Sequence, residues 1–168
     1  MIPQRQEMWY AFVTRPRHEK KVKLELDEAG IENFLPLRKT LNQWKDRKRW
    51  VEAPLFSSYI FCHIPFVYRY EVIKVPSVAR IISFKDKPTP VRDEEIYAIK
   101  MLLEQNVDVQ VQNGLDIGEH VRIGSGLLMG YEGQVVEARG VYYFAIQIEC
   151  IGKTVLVDIR NVKIERCA

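Results

Sequence analysis

Apolar residues in this chain fall into short bursts whose period changes along the sequence. Met8-Trp9-Tyr10-Ala11-Phe12-Val13 is an unbroken apolar and aromatic run, which predicts a buried strand. Thr14-Arg15-Pro16 interrupts it. Thr14 suits a helix cap, and Pro16 suits a first turn, where its missing N–H costs nothing. Over residues 17–29, Val22, Leu26 and Ala29 recur at helical spacing with Leu24 beside them, and Gly30 ends the predicted helix. A second strand is predicted at 31–37.

Residues 38–52 break the apolar pattern. Six of the first twelve are Lys or Arg against one Asp, the segment holds two tryptophans, and too little apolar periodicity runs through it to make it core. This predicts an exposed hairpin turning around Lys45-Asp46-Arg47. A strongly apolar strand follows at 54–63, then a short helix at 67–75, a strand at 78–84 and a turn at 87–90. Residues 93–105 predict a helix, with Ile96, Ile99, Leu102 and Leu103 inward and Asp93, Glu94 and Glu95 complementing its positive end. The order β-α-β-hairpin-β-α-β-α predicts an α+β sandwich, an antiparallel sheet with flanking helices.

The texture changes after Gln105. Residues 106–118 are polar and suit a linker. Short strands punctuated by glycine follow at 120–123, 133–138, 141–151, 154–159 and 162–165, predicting a small closed β-barrel. The expected organisation is therefore a domain at 7–106, a linker at 107–117 and a second domain at 118–168.

Charge follows the same division. The 168 residues carry a net +3, but residues 1–105 hold 19 Lys/Arg against 14 Asp/Glu, and residues 106–168 hold 6 against 8. With 47% hydrophobic residues there is material for a core, and no apolar stretch approaches the roughly 20 residues that cross a bilayer. The start, MIPQRQEMWY, has no apolar signal core. Cys62, Cys150 and Cys167 are scattered and form no C-x-x-C pair. These features predict a cytoplasmic protein in a reducing compartment, without a disulfide framework, membrane contact or structural zinc.

No catalytic constellation emerges. His18, His63 and His120 fall in separate elements, and the nucleotide-loop and nucleophile-elbow motifs are absent from the sequence. Glu94-Glu95 lies at a helix start, where dipole complementation accounts for it. The expectation is a non-enzyme with no cofactor, no metal and no catalytic residue.

Two motif sets point further. Gly118-Glu119-His120-Val121-Arg122-Ile123, the glycine-bearing segment Gly124 to Gly133 and Gln134-Val135-Val136 resemble the KOW motif, in which Gly130 or Gly133 permits a tight reversal at positive φ. Trp9-Tyr10-Ala11-Phe12-Val13-Thr14, the basic helix with Glu19 and Lys20, and Pro54-Leu55-Phe56-Ser57-Ser58-Tyr59-Ile60-Phe61 resemble the NusG N-terminal (NGN) domain. Ser57-Ser58 stands where that strand pattern usually has Pro-Gly. Over residues 8–166 the chain resembles a NusG-family transcription elongation factor. Its segments Arg15 to Lys21 and Gln43 to Lys48 are most similar to the UpxY/RfaH-type specialised antiterminators.

The resemblance implies an NGN domain followed by a small SH3-like KOW barrel. It implies a monomer that binds RNA polymerase at the clamp helices, touches DNA, and suppresses pausing or termination on long operons such as those for surface polysaccharides. Polymerase contact is implied for Tyr10, Phe56, Tyr59 and Phe61. Strand residues alternate faces, so only one set of these points outward and the rest are core. Arg69, within Tyr68-Arg69-Tyr70, is implied at the polymerase gate loop or else lies in a solvated short helix. Non-template DNA contact is implied for Arg15, Arg17, His18 and Lys21. Upstream DNA contact is implied for Trp44, Lys45, Arg47, Lys48 and Arg49 of the hairpin, where cations meet phosphate and aromatic rings stack on unpaired bases. In the barrel, Ile151, Gly152 and Lys153 form the implied recruiting loop for a small-subunit ribosomal protein or Rho, with Ile151 equally suited to the core. The alternative class is an RNA- or ribosome-binding KOW protein without polymerase contact.

Overall fold

A computed structural model describes residues 5–43, 46–85, 87–113, 118–138, 141–160 and 164–166. The chain separates into two compact units, Met1–Asp93 and Glu94–Ala168. None of the helices is long and apolar enough to cross a membrane, among the described residues.

In the first unit, β1 (Glu7–Thr14) leads into α1 (Glu19–Glu28), then β2 (Asn33–Phe34), β3 (Leu37–Gln43), β4 (Lys48–Pro54) and β5 (Tyr59–Pro65). A 3-10 turn, Phe66–Tyr68, precedes α2 (Arg69–Ile73), and β6 (Val78–Ile81), β7 (Ser83–Phe84), β8 (Lys87–Pro88) and β9 (Pro90–Val91) follow. The main sheet has the order β2-β5-β1-β6, with β9 also on β1. β1 and β5 run antiparallel in full register from Glu7 opposite Pro65 to Val13 opposite Tyr59.

The apolar run of β1 is continuous because both of its faces are buried. Tyr10 and Phe12 join Ile60, Cys62 and Ile64 of β5, Val22 and Leu26 of α1, and Val72 near the end of α2 in one core. On the opposite face Trp9, Ala11 and Phe61 are buried as well. There Phe34 stacks on Phe61 at 6.3 Å, and Phe56 meets it edge-on at 6.0 Å.

Two expectations for this unit need correction. Thr14 does not cap α1. It is the last residue of β1, His18 holds the N-cap position without a side-chain bond, and Arg17 turns the chain at φ 65°. The second strand shrinks from 31–37 to two residues, because Leu37 already belongs to the hairpin. The end of α1 is as expected. Gly30 sits at φ 68°, Ile31 N–H donates to Leu26 C=O at 2.9 Å and Gly30 N–H to Asp27 C=O at 3.1 Å, which closes the helix in a Schellman motif.

The second unit starts with α3 (Asp93–Glu104) and continues through β10 (Val109–Asn113), β11 (His120–Ile123), β12 (Glu132–Ala138), β13 (Val141–Ile148), β14 (Lys153–Asp158) and β15 (Ile164–Arg166). These strands form one six-stranded sheet in the order β10-β14-β13-β12-β11-β15, every pair antiparallel. The expected linker is therefore partly a strand: Val109 pairs with Val157 and Val111 with Val155. The alternation Val-Gln-Val-Gln is short enough to pass for polar linker, yet its period of two is that of a half-buried strand. Within this unit the rings of Tyr97 and Tyr131 stack nearly parallel at 6.4 Å.

The two glycines singled out for tight reversal work differently. Gly130 takes φ 86° and donates its N–H to Ile123 C=O at 2.7 Å. Gly133 instead makes room, since a Cβ there would lie 2.5 Å from Phe144 Cζ.

Candidate functional site

The ribbon β3–β4 is a largely exposed feature of the first unit. Its strands pair with each other from Leu37–Pro54 to Gln43–Lys48, and with no other strand among the described residues. Leu55 N–H closes its base by donating to Pro36 C=O at 2.8 Å. Arg38, Lys39, Lys48, Arg49 and Arg47 beside them are all exposed. The sequence lacks the apolar period that would bury such a ribbon, so it projects its cations into water. Trp44 and Lys45, at the expected tip, lie outside the described residues. Trp50 and Leu41 form a cross-strand pair, 67% and 46% exposed, that sequence reasoning did not assign.

The start of α1 is a second basic surface. Arg15 and Arg17 are exposed, and Lys21 lies 3.8 Å from Glu25 one turn on. His18 is half-buried, its Nδ1 3.0 Å from Pro16 C=O. This turn is held from two sides. Thr14 N–H donates to Ser58 C=O at 2.9 Å, and Arg15 N–H to Ser77 C=O at 2.8 Å. Arg17, Ser58 and Ser77 all have positive φ (65°, 66° and 72°), a conformation that costs a residue with a Cβ about 1–2 kcal/mol. Three strained residues thus gather where β1 ends. Such strain persists only where surrounding bonds over-determine it, and it clusters at functional sites. The bond that fixes Ser58 comes from the buried carboxylate of Glu19, which accepts the Ser58 N–H at 2.7 Å.

The residues proposed for polymerase contact are divided by the structure. Tyr10, Phe56 and Phe61 are at most 1% exposed and serve as packing. The Tyr10 hydroxyl is buried without a hydrogen-bond partner, and that burial pushes its pKa up. Tyr59 is half-buried at the head of β5. Arg69 is also half-buried and engaged within its own segment. Its guanidinium carbon lies 4.3 Å from the Phe66 ring centre and 4.1 Å from that of Tyr70, while its N–H groups donate to Phe66 C=O at 3.2 Å and to the Tyr70 hydroxyl at 2.8 Å. Arg69 therefore positions its aromatic neighbours, and the groups it leaves accessible are Val67, Tyr68 and Tyr70.

In the second unit, Ile151 is 9% exposed and belongs to the core, closing the 3-10 turn Glu149–Ile151. Gly152 is exposed at φ 60°, and Lys153 is half-buried on β14. Only the glycine turn of that expected loop is fully presented to solvent.

The family model described as transcription termination factor nusG matches residues 7–100. The transcription termination/antitermination protein NusG of Streptococcus pyogenes is 29% identical over 143 residues, covering 77% of this chain and 79% of that one. The protein of the same name from Campylobacter jejuni is 24% identical over 172 residues, covering 94% and 96%. A solved structure of Thermotoga maritima NusG superposes with a TM-score of 0.53 at 23% identity over 94% of this chain and 97% of that one, a likeness of fold. By the match over more than half its length, the chain belongs to the NusG family of transcription termination and antitermination proteins.

Proposed function

We propose that this chain is an elongation and antitermination factor that rides on RNA polymerase and reads the DNA beside it. Residues 7–106 would dock on the polymerase clamp helices, and residues 118–168 would recruit a small-subunit ribosomal protein or Rho, with β10 adding an edge strand to the second sheet. The observation that carries the reading is the exposed cationic ribbon β3–β4 on a unit that matches the NusG family. Phosphate is the chemistry that such a ribbon attracts.

Polymerase contact falls to the accessible aromatic groups, Tyr59, Tyr68 and Tyr70, with Arg69 holding the last in place and Tyr10, Phe56 and Phe61 supporting the surface from beneath. The start of α1, with Arg15, Arg17, His18 and Lys21, faces the non-template strand. The resemblance of this segment to UpxY/RfaH-type proteins supports action on specific long operons, such as those for surface polysaccharides.

Capture of purified core RNA polymerase by the immobilised chain, followed by transcription with and without Rho on a long leader template, tests this. Binding with increased read-through is the expected result. Failure to capture polymerase rejects the proposal and favours an RNA- or ribosome-binding role.

A further inference from the structure

The ribbon β3–β4 has two unlike faces. Strand alternation places Lys39, Leu41, Lys48, Trp50 and Glu52 on one face, while the half-buried Thr40 and Val51 lie on the other. Trp50 is paired with Leu41 across the ribbon, which steadies the indole along one edge. Two thirds of its surface still meets water. An exposed aromatic ring on a strand, with Lys48 two residues before it and Glu52 two residues after it on the same face, offers a surface on which an unpaired base can stack beside a cation.

We infer that this face is a stacking platform for an unpaired DNA strand, with Trp50 taking a base and Lys48 an adjoining phosphate. Charge complementarity commits the ribbon to a polyanion: Arg38, Lys39, Arg47, Lys48 and Arg49 are exposed against Asp46 and Glu52, with Lys39 and Lys48 on the Trp50 face and Arg38 and Arg49 on the other. Strand geometry sets the reach. Lys48 and Trp50 are two residues apart on the same face, about 6.6–6.8 Å along the strand, so the cation sits beside the ring rather than over it. Glu52 opposes Lys39 in register and offsets its charge, so the phosphate track runs through Lys48 toward the turn. An unpaired strand fits this face better than a duplex. Bases in a duplex offer groove edges, which read hydrogen bonds, whereas the exposed indole offers a flat apolar surface.

The inference rests on the reading of the ribbon as a DNA contact and adds the strand state and the residue that senses it. The test uses the full chain and fluorescence anisotropy at fixed low salt. The probes are a labelled single-stranded pyrimidine oligonucleotide, the same sequence as a duplex, and its RNA counterpart. Trp50→Ala is expected to weaken single-strand binding by about 5- to 150-fold, the range of one lost base stack. Trp50→Phe keeps an aromatic face and should stay within about threefold of wild type. Duplex binding should change less than twofold in either variant. Lys48→Gln should lower the slope of log affinity against log salt by about 0.7, the loss of one single-strand phosphate contact, and Trp50→Ala should leave the slope unchanged.

No single-strand binding by the wild-type chain overturns the inference. So does a Trp50→Ala variant that binds normally, a Trp50→Phe variant as weak as Trp50→Ala, or equal losses on single strand and duplex. Tighter, Trp50-dependent binding of the RNA overturns the assignment to DNA. Polymerase capture separates this from the proposed function. A chain that binds polymerase but ignores Trp50 rejects the inference alone, and one that stacks DNA on Trp50 without binding polymerase rejects the function alone.

Discussion

The Glu19 carboxylate accepts the backbone N–H of Ser58 at 2.7 Å, joining the first turn of α1 to the turn before β5 across 39 positions of sequence. Ser58 stands where the family pattern usually has glycine, and it holds φ 66°. The bond compensates a conformation that its side chain disfavours. Glu19→Ala leaves a part-buried N–H without its acceptor and should cost about 1–3 kcal/mol in urea unfolding. Glu19→Gln, which keeps an oxygen, should cost less than half as much. Ser58→Gly should raise stability by up to about 1 kcal/mol. Equal stability of all three variants would dismiss the compensation.

Gly133 is small because Phe144 occupies the space beyond it. Gly133→Ala drives a methyl into that ring and should destabilise the second unit by about 1–3 kcal/mol. Adding Phe144→Leu should recover part of the loss. A double variant no better than the sum of its singles would place the cost elsewhere.

Tyr10 buries a hydroxyl that finds no partner. Tyr10→Phe removes it without changing the packing, so stability should hold or rise by up to about 1 kcal/mol. Polymerase capture should be unaffected by Tyr10→Phe but weakened by Tyr68→Ala combined with Tyr70→Ala. Weak capture by Tyr10→Phe would mean that the ring leaves the core on binding.

Reversal of Arg47, Lys48 and Arg49 to Glu should reduce DNA crosslinking and its salt dependence while polymerase capture persists, because among the described residues the ribbon pairs with no other strand. Unchanged crosslinking removes the ribbon from the DNA interface.

Thiol chemistry should be slow. Burial pushes Cys62 far up and Cys150 to about 12, with Glu95 adding to the latter. At about pH 8, roughly one Cys150 in ten thousand is thiolate, the reactive form. In a Cys167→Ser background Cys62 should therefore react with a disulfide reagent no faster than the chain opens, and the half-buried Cys150 should react slowly, at a rate that rises with pH. Rapid stoichiometric labelling of both at neutral pH would contradict the burial of Cys62 and the raised pKa of Cys150.

Much of this was legible beforehand. The run Met8 to Val13, the Gly30 stop and the cationic hairpin each follow from local pattern, and the structure has a strand, a Schellman end and a ribbon there. What escaped was long-range. Whether Phe56 and Phe61 face a partner or the core depends on what lies over the strand, which alternation alone does not tell. Glu19 looked like one more charge on a solvated helix, and only Ser58, brought close by the sheet, explains its burial. Trp50 counts with Trp44 among the hairpin's tryptophans but has no site of its own in the sequence, because only a register that places it opposite Leu41 marks it out.

The ribbon also has a bearing on solubility. Two strands that, among the described residues, pair only with each other leave both outer edges with open backbone donors and acceptors, an invitation to edge-to-edge aggregation. Like charges along those edges keep copies of the chain apart. The cations that attract DNA thus double as gatekeepers, and neutralising them would exchange one binding partner for another: the protein itself.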